Sequence, residues 1–178
     1  MTKQIKTTRF GSVSIKDDFI IYFRDGMVGF PDLKHYVLIE SPQMPLVLWL
    51  QSIDDASVAF PLIEPELVRK RYSFIMNPAD EAMISYESGA KVKTFLVMTI
   101  PASVEQMTVN LRAPVLVNID KSCGGQIILQ DKSQTVREPI FAQFQEAMNS
   151  VAAFELTDNE PKWSAYNWRD AAPSDLAV

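Results

Sequence analysis

The chain has one cysteine, Cys123, and one histidine, His35, so these two alone could form a thiolate–imidazole pair for nucleophilic chemistry. Cys123 stands before two glycines and close to Lys121, a setting in which a cation favours the thiolate. His35 opens the apolar run 36–39 and reads instead as a surface or strand-edge residue. A metal centre needs clustered His, Cys or carboxylate ligands at regular spacing, and one His far in sequence from one Cys supplies no such cluster. The carboxylate pairs Asp54-Asp55 and Glu64/Glu66 could divide acid and base work between them. Both pairs fall at turns or strand ends, where carboxylates ordinarily remain solvated. There is no phosphate-cradling glycine loop and no nucleophile elbow, and the chain has only 6 glycines. The expectation is therefore no catalytic residue, no metal, no cofactor and no enzyme.

Those side chains are carried by short runs of β-branched and aromatic residues separated by turn signals. After Gly11, Val13 and Ile15 alternate with serines and Lys16, the pattern of a half-buried strand. Further strands are expected over 19–23, 36–39, 47–51, 58–63, 72–76, 92–100, 107–112, 115–119 and 126–129. Asp54-Asp55 supplies a hairpin turn between 47–51 and 58–63, and Cys123-Gly124-Gly125 a turn before the last strand. One helix is expected over 78–88, capped by Asn77 and closed by Gly89. A second helical stripe is expected over 139–154, with Pro139 at its start and Phe141, Phe144, Met148 and Val151 on one face. So many short strands with brief connections predict a mainly β fold: an antiparallel, closed or nearly closed barrel or sandwich with one or two short helices and a C-terminal extension. The expected organisation is a barrel domain over 1–140, a C-terminal helix over 141–156, and a polar tail over 157–178 that is partly disordered or packed on a partner.

At 178 residues and 47% hydrophobic, the chain can bury one globular core. Its net charge of -5 argues against a phosphate-backbone binder, so no direct nucleic acid is expected. The same charge suits a basic protein partner. The polar N-terminus has no signal-peptide core, and the apolar runs are too short to span a bilayer. The expected location is the cytoplasm, with no membrane partner.

Several segments in sequence order form a recognisable set. Thr8-Arg9-Phe10-Gly11 opens it, followed by FRDGMVGF at 23–30 and Tyr36-Val37-Leu38. Trp49-Leu50-Gln51-Ser52, Asp54-Asp55 and Ala59-Phe60 come next, then Glu64-Pro65 and Tyr72-Ser73-Phe74. The most specific stretch is MTVNLRAPVLVN at 107–118, continued by GQIIL at 125–129 and by Arg137. In this order the segments resemble the FliW family of flagellar assembly factors, over roughly residues 5 to 140. Thr135 stands near the place where the family commonly has a tyrosine, and Leu67-Val68-Arg69-Lys70-Arg71 puts a basic cluster where the family is often apolar.

The resemblance implies a protein with two protein ligands: flagellin, held in the cytoplasm before export, and the translational regulator CsrA. Export of flagellin would free the protein to bind CsrA and lift repression of flagellin messenger RNA, a switch that needs only unfavourable coupling between the two partners. Candidate partner-binding residues are the acidic Asp54, Asp55, Glu64 and Glu66, together with Met107, Asn110 and Arg112 of the most specific motif. Asn110 could equally serve to satisfy backbone groups at a corner. Trp49, Leu50 and Phe60 read as core. The alternative is a small-ligand-binding or enzymatic β-barrel on the same scaffold, since fold does not fix function.

Overall fold

A tight N-terminal turn starts the architecture. Gly11 takes a φ of 68°, and the Thr7 hydroxyl accepts from the Phe10 N–H while donating to the Gly11 carbonyl. This folds Thr2–Thr7 (β1) and Gly11–Lys16 (β2) into an antiparallel hairpin. β1 is absent from the strands read in the sequence, because a strand of mostly polar residues with Ile5 as its one large apolar side chain lacks the apolar alternation that marks one.

The computed structural model describes residues 1–151 and 163–174. Among the described residues ten further strands follow the hairpin: β3 (Ile21–Phe23), β4 (His35–Glu40), β5 (Leu48–Ser52), β6 (Ala59–Ile63), β7 (Val92–Thr99), β8 (Thr108–Val109), β9 (Val115–Asn118), β10 (Cys123–Gln126), β11 (Glu138–Pro139) and β12 (Ser164–Ala165). Seven of them close a barrel in the order β7-β6-β5-β4-β3-β10-β9, with β9 returning to pair β7. All of these neighbours are antiparallel except β3 and β10, which run parallel. A ring with an odd number of strands cannot alternate direction all the way round, so one parallel seam is required. The barrel is mixed, a correction to the antiparallel expectation.

Side-chain alternation divides the apolar residues into an inside and an outside. Ile21, Phe23, Tyr36, Leu38, Leu50, Leu62, Phe95, Val115 and Val117 fill the barrel interior. Val37, Ile39, Trp49, Ile63, Leu96 and Met98 point outward and meet the hairpin's Val13 and Ile15 together with Met107, Val109 and Ile140. A third cluster, with Val92, Leu116, Ile127 and Leu129, lies under α1 (Pro78–Met83).

α1 begins as the sequence indicates. Asn77 accepts from the N–H groups of Ala79 and Asp80, and the Asp80 carboxylate answers the Asn77 N–H. It ends earlier than expected, at Met83, and Ser85 two residues on takes a φ of 50° that is incompatible with a continuing helix. α2 (Phe141–Ser150) starts after Pro139 rather than at it, because Pro139 is taken by β11. The last residues of the expected helix lie outside the described residues.

Three strand expectations change. Residues 72–76 form no ladder; Tyr72 and Phe74 pack on the third cluster, Ile75 faces solvent, and the Tyr72 hydroxyl donates to the Leu111 carbonyl. Only Thr108–Val109 of 107–112 is strand, since Asn110 turns the chain. The turn assigned to Cys123-Gly124-Gly125 comes earlier. The Asn118 side chain accepts from the Asp120 and Lys121 N–H groups and Ser122 takes a φ of 54°, so the glycines fall inside β10. Their small size answers packing: a Cβ on Gly124 would lie 2.6 Å from the Phe23 ring and 2.7 Å from the Leu116 carbonyl oxygen.

Residues 163–174, the described part of the expected polar tail, lie on this chain's own barrel. β12 pairs β4, and the Trp168 side chain is fully buried in the interior cluster. The tryptophans set among charges are thus anchors of a docked segment, which their polar neighbours conceal.

Candidate functional site

Cys123 and His35 are not brought into contact. Cys123 is paired across the ladder with Tyr22, and Tyr22 with His35, so the two lie in one row with Tyr22 between them. Two strand spacings separate their backbones by about 10 Å. The Cys123 thiol donates to the Ile84 carbonyl, and burial pushes it up from its ordinary range. His35 is held by Asp54, Nδ1 to Oδ1 at 3.0 Å, and its ring lies against Tyr22.

Asp54 accepts from the backbone N–H groups of Lys34 and His35, clamping the β5–β6 turn to the start of β4. Burial raises its carboxyl, but these donors and the His35 ring outweigh that and hold it below the ordinary carboxylate range. Asp55 accepts from the Ser57 hydroxyl and N–H, which lower it as well. Glu64 pairs with Lys93 at 3.0 Å, and the Lys93 side chain is only 7% exposed. Lys93 belongs to the interior-facing set of β7 and sits at the barrel mouth. Beside it, Glu40, Leu48, Leu62, Glu64 and Tyr166 line a crevice. Glu66 stands exposed on the 3-10 turn that follows β6.

Met107 is buried in the outer core. The Asn110 side-chain Oδ1 accepts from the N–H groups of Arg112 and Ala113, building the corner that leads into β9, and Arg112 Nε donates to the Leu129 backbone carbonyl. The candidates therefore do not converge. Asp54 and Asp55 mark one mouth of the barrel, Glu64 and Glu66 the other, and Met107 lies in the layer outside it.

Reasoning from sequence missed one surface altogether. Met44, Val47, Met98, Ile100, Val104, Met107, Phe141, Phe144 and Met148 enclose an apolar groove of about 280 Å³ between α2 and the outer face of the barrel. Its signal was present in the Phe141/Phe144/Met148 stripe, but the stripe's opposing wall comes from distant strands. Adaptable methionines make up much of its lining: Met44, Met98, Met107 and Met148. Among the described residues, no group of three or more His, Cys, Asp or Glu could hold a metal ion. No helix among them is long and apolar enough to cross a membrane.

The alternative of a ligand chamber requires converging polar groups inside the barrel. That interior is filled by Phe, Ile, Leu and Val, and burial pushes the hydroxyl of its Tyr36 up to about 12, far from any working acid–base range.

Comparison with known proteins agrees with this architecture. A protein of Bdellovibrio bacteriovorus named flagellar assembly factor FliW is 38% identical over 142 residues, spanning 80% of this chain and 81% of that protein. The protein of the same name from Caldanaerobacter subterraneus subsp. tengcongensis is 32% identical over 146 residues, 81% of this chain and 97% of its own length. A crystal structure of the flagellar assembly factor FliW superposes with a TM-score of 0.72 at 25% identity, covering 78% of this chain and 97% of that one. The family model described as FliW protein matches residues 3–140, which take in the entire barrel, and the chain belongs to the FliW family.

Proposed function

We propose that this chain is a flagellar assembly factor that acts by occupying other proteins in the cytoplasm. Its partners are a CsrA-type translational regulator, whose repression of flagellin messenger RNA it blocks, and flagellin, which it holds before export. The observation that carries this reading is the family match over the whole barrel; the filled interior and the dispersal of the titratable groups are consistent with it. Carboxylates at the two mouths meet the basic regulator, with Asp55 and Glu66 exposed, Glu64 beside Lys93, and Asp54 holding the turn that presents Asp55. Flagellin enters the methionine-lined groove through an amphipathic helix, Met107 forming part of the wall and Asn110 and Arg112 fixing the corner behind it.

The decisive experiment titrates purified protein into CsrA by calorimetry, alongside a gel shift of CsrA on the flagellin messenger leader. Stoichiometric heat and release of the RNA are expected. Absence of heat with an unchanged shift would remove the regulator half of the reading. A matching titration with flagellin tests the other half.

A further inference from the structure

The barrel mouth formed by the ends of β4 and β6 and the starts of β3, β7 and β10 is closed by residues 163–174. Two ladder gaps exist there. β3 pairs β4 only at Tyr36 and His35, leaving the Leu38–Glu40 backbone open, and β6 pairs β7 only as far as Leu96. The C-terminal segment fills both. Ser164 and Ala165 pair Glu40 and Ile39, and the Tyr166 N–H donates to the Leu38 carbonyl at 2.8 Å. At the other gap the Ser174 N–H donates to the Val92 carbonyl and its hydroxyl accepts from the Thr94 N–H, each at 2.9 Å.

Between these clamps Trp168 enters the mouth. It is 0% exposed, packs with Ile21, Tyr36 and Leu38, and donates from Nε1 to the Phe19 carbonyl. Arg169 lies over the Trp168 ring and donates to the Asp18 carbonyl and to Ser122 Oγ. Trp168 is the one fully buried residue among 163–174; Trp163 and Ala165 rest half-buried on the outer cluster and Tyr166 on the interior one. A single deep anchor flanked by strand addition and a cation on an open rim is how short extended peptides are recognised; an element of a domain core buries side chains along its length. The family match ends at residue 140, and the solved relative is matched over 97% of its length by 78% of this chain, so the segment lies outside the shared domain.

We propose that this mouth is a peptide-binding site occupied in cis by the chain's own C-terminal strap. Its ligand class is an extended segment that adds to β4 and presents a tryptophan followed directly by a basic residue. A partner carrying such a segment displaces the strap, and the strap, covalently joined to the barrel through α2 and residues 152–162, competes as an intramolecular ligand.

The test keeps the full chain. A protease recognition sequence is placed between Asp158 and Asn159, and the folded protein is cut. Fluorescence anisotropy then follows a labelled peptide with the sequence of residues 163–174. Apparent affinity is expected to be on the order of 10²-fold greater for the cut than for the uncut protein, since cutting removes a millimolar local competitor. A peptide carrying Trp168→Ala is expected not to bind, and the uncut W168A protein to take up the native-sequence peptide. The proposal is overturned by equal binding to cut and uncut protein. It is also overturned by equal binding of the Trp168→Ala peptide, or by loss of the β circular-dichroism signal when the strap leaves, which would make the strap part of the fold.

Discussion

Gly124 and Asp54 show how single residues set local geometry here. A methyl group at Gly124 has the Leu116 backbone on one side and the Phe23 ring on the other, and the backbone cannot yield. Gly124→Ala is expected to cost about 2–3 kcal/mol, read as a lowered urea midpoint at unchanged slope. Asp54 ties the β5–β6 turn to β4 through two N–H donors, and Asp54→Asn should cost about 1–2 kcal/mol at neutral pH. Its carboxyl is depressed in the folded state, so its contribution is complete above the unfolded aspartate value of about 3.9 and is lost as pH falls through the lower folded value. Urea midpoints from pH 2.5 to 6 should therefore fall less steeply in the Asn variant; parallel curves would exclude the linkage. Asp54 was readable in the sequence as a turn carboxylate, but its clamp on Lys34 and His35 was not, because the acceptor and its donors belong to different strands.

Elements with strong local signals were legible. Asn77, Pro78 and Asp80 announced the start of α1, and Asn77→Ala should cost about 1 kcal/mol by removing an acceptor from two helical N–H groups. Unbroken apolar runs marked β4 through β7, because those strands separate two cores and both of their faces must be apolar. Where a strand is mostly polar and exposed, as β1 is, or a glycine serves packing, as in β10, composition pointed elsewhere. The groove beside α2 escaped notice for a related reason: one wall is local and the other is assembled from β7, the loop before β5 and the loop after β7. Phe144 is half-buried on that wall, so Phe144→Asp should leave the fold intact. It is expected to weaken flagellin binding at least about tenfold in calorimetry, as loss of an apolar anchor does, and to spare CsrA binding. Equal loss of both partners would place both in one groove.

The whole molecule carries the charge argument. A net charge of -5 should speed encounter with a basic regulator, and association rates with CsrA are expected to fall about tenfold between 50 and 500 mM salt in stopped-flow measurements. Salt-independent rates would remove electrostatics from the encounter. The mainly β class was legible from strand count and turn spacing, whereas the mixed direction of the ring depended on there being seven strands, a number that no local pattern contains. The parallel seam also bears on biosynthesis. It joins Tyr22 to Cys123, about a hundred residues apart, so a ribosome must release the last strand of the ring before β3 finds its neighbour. Until then five consecutive strands stand as an open, sticky ribbon. The nascent protein should fold late, in milliseconds to seconds after its distal third emerges, and should depend on chaperones most during that interval.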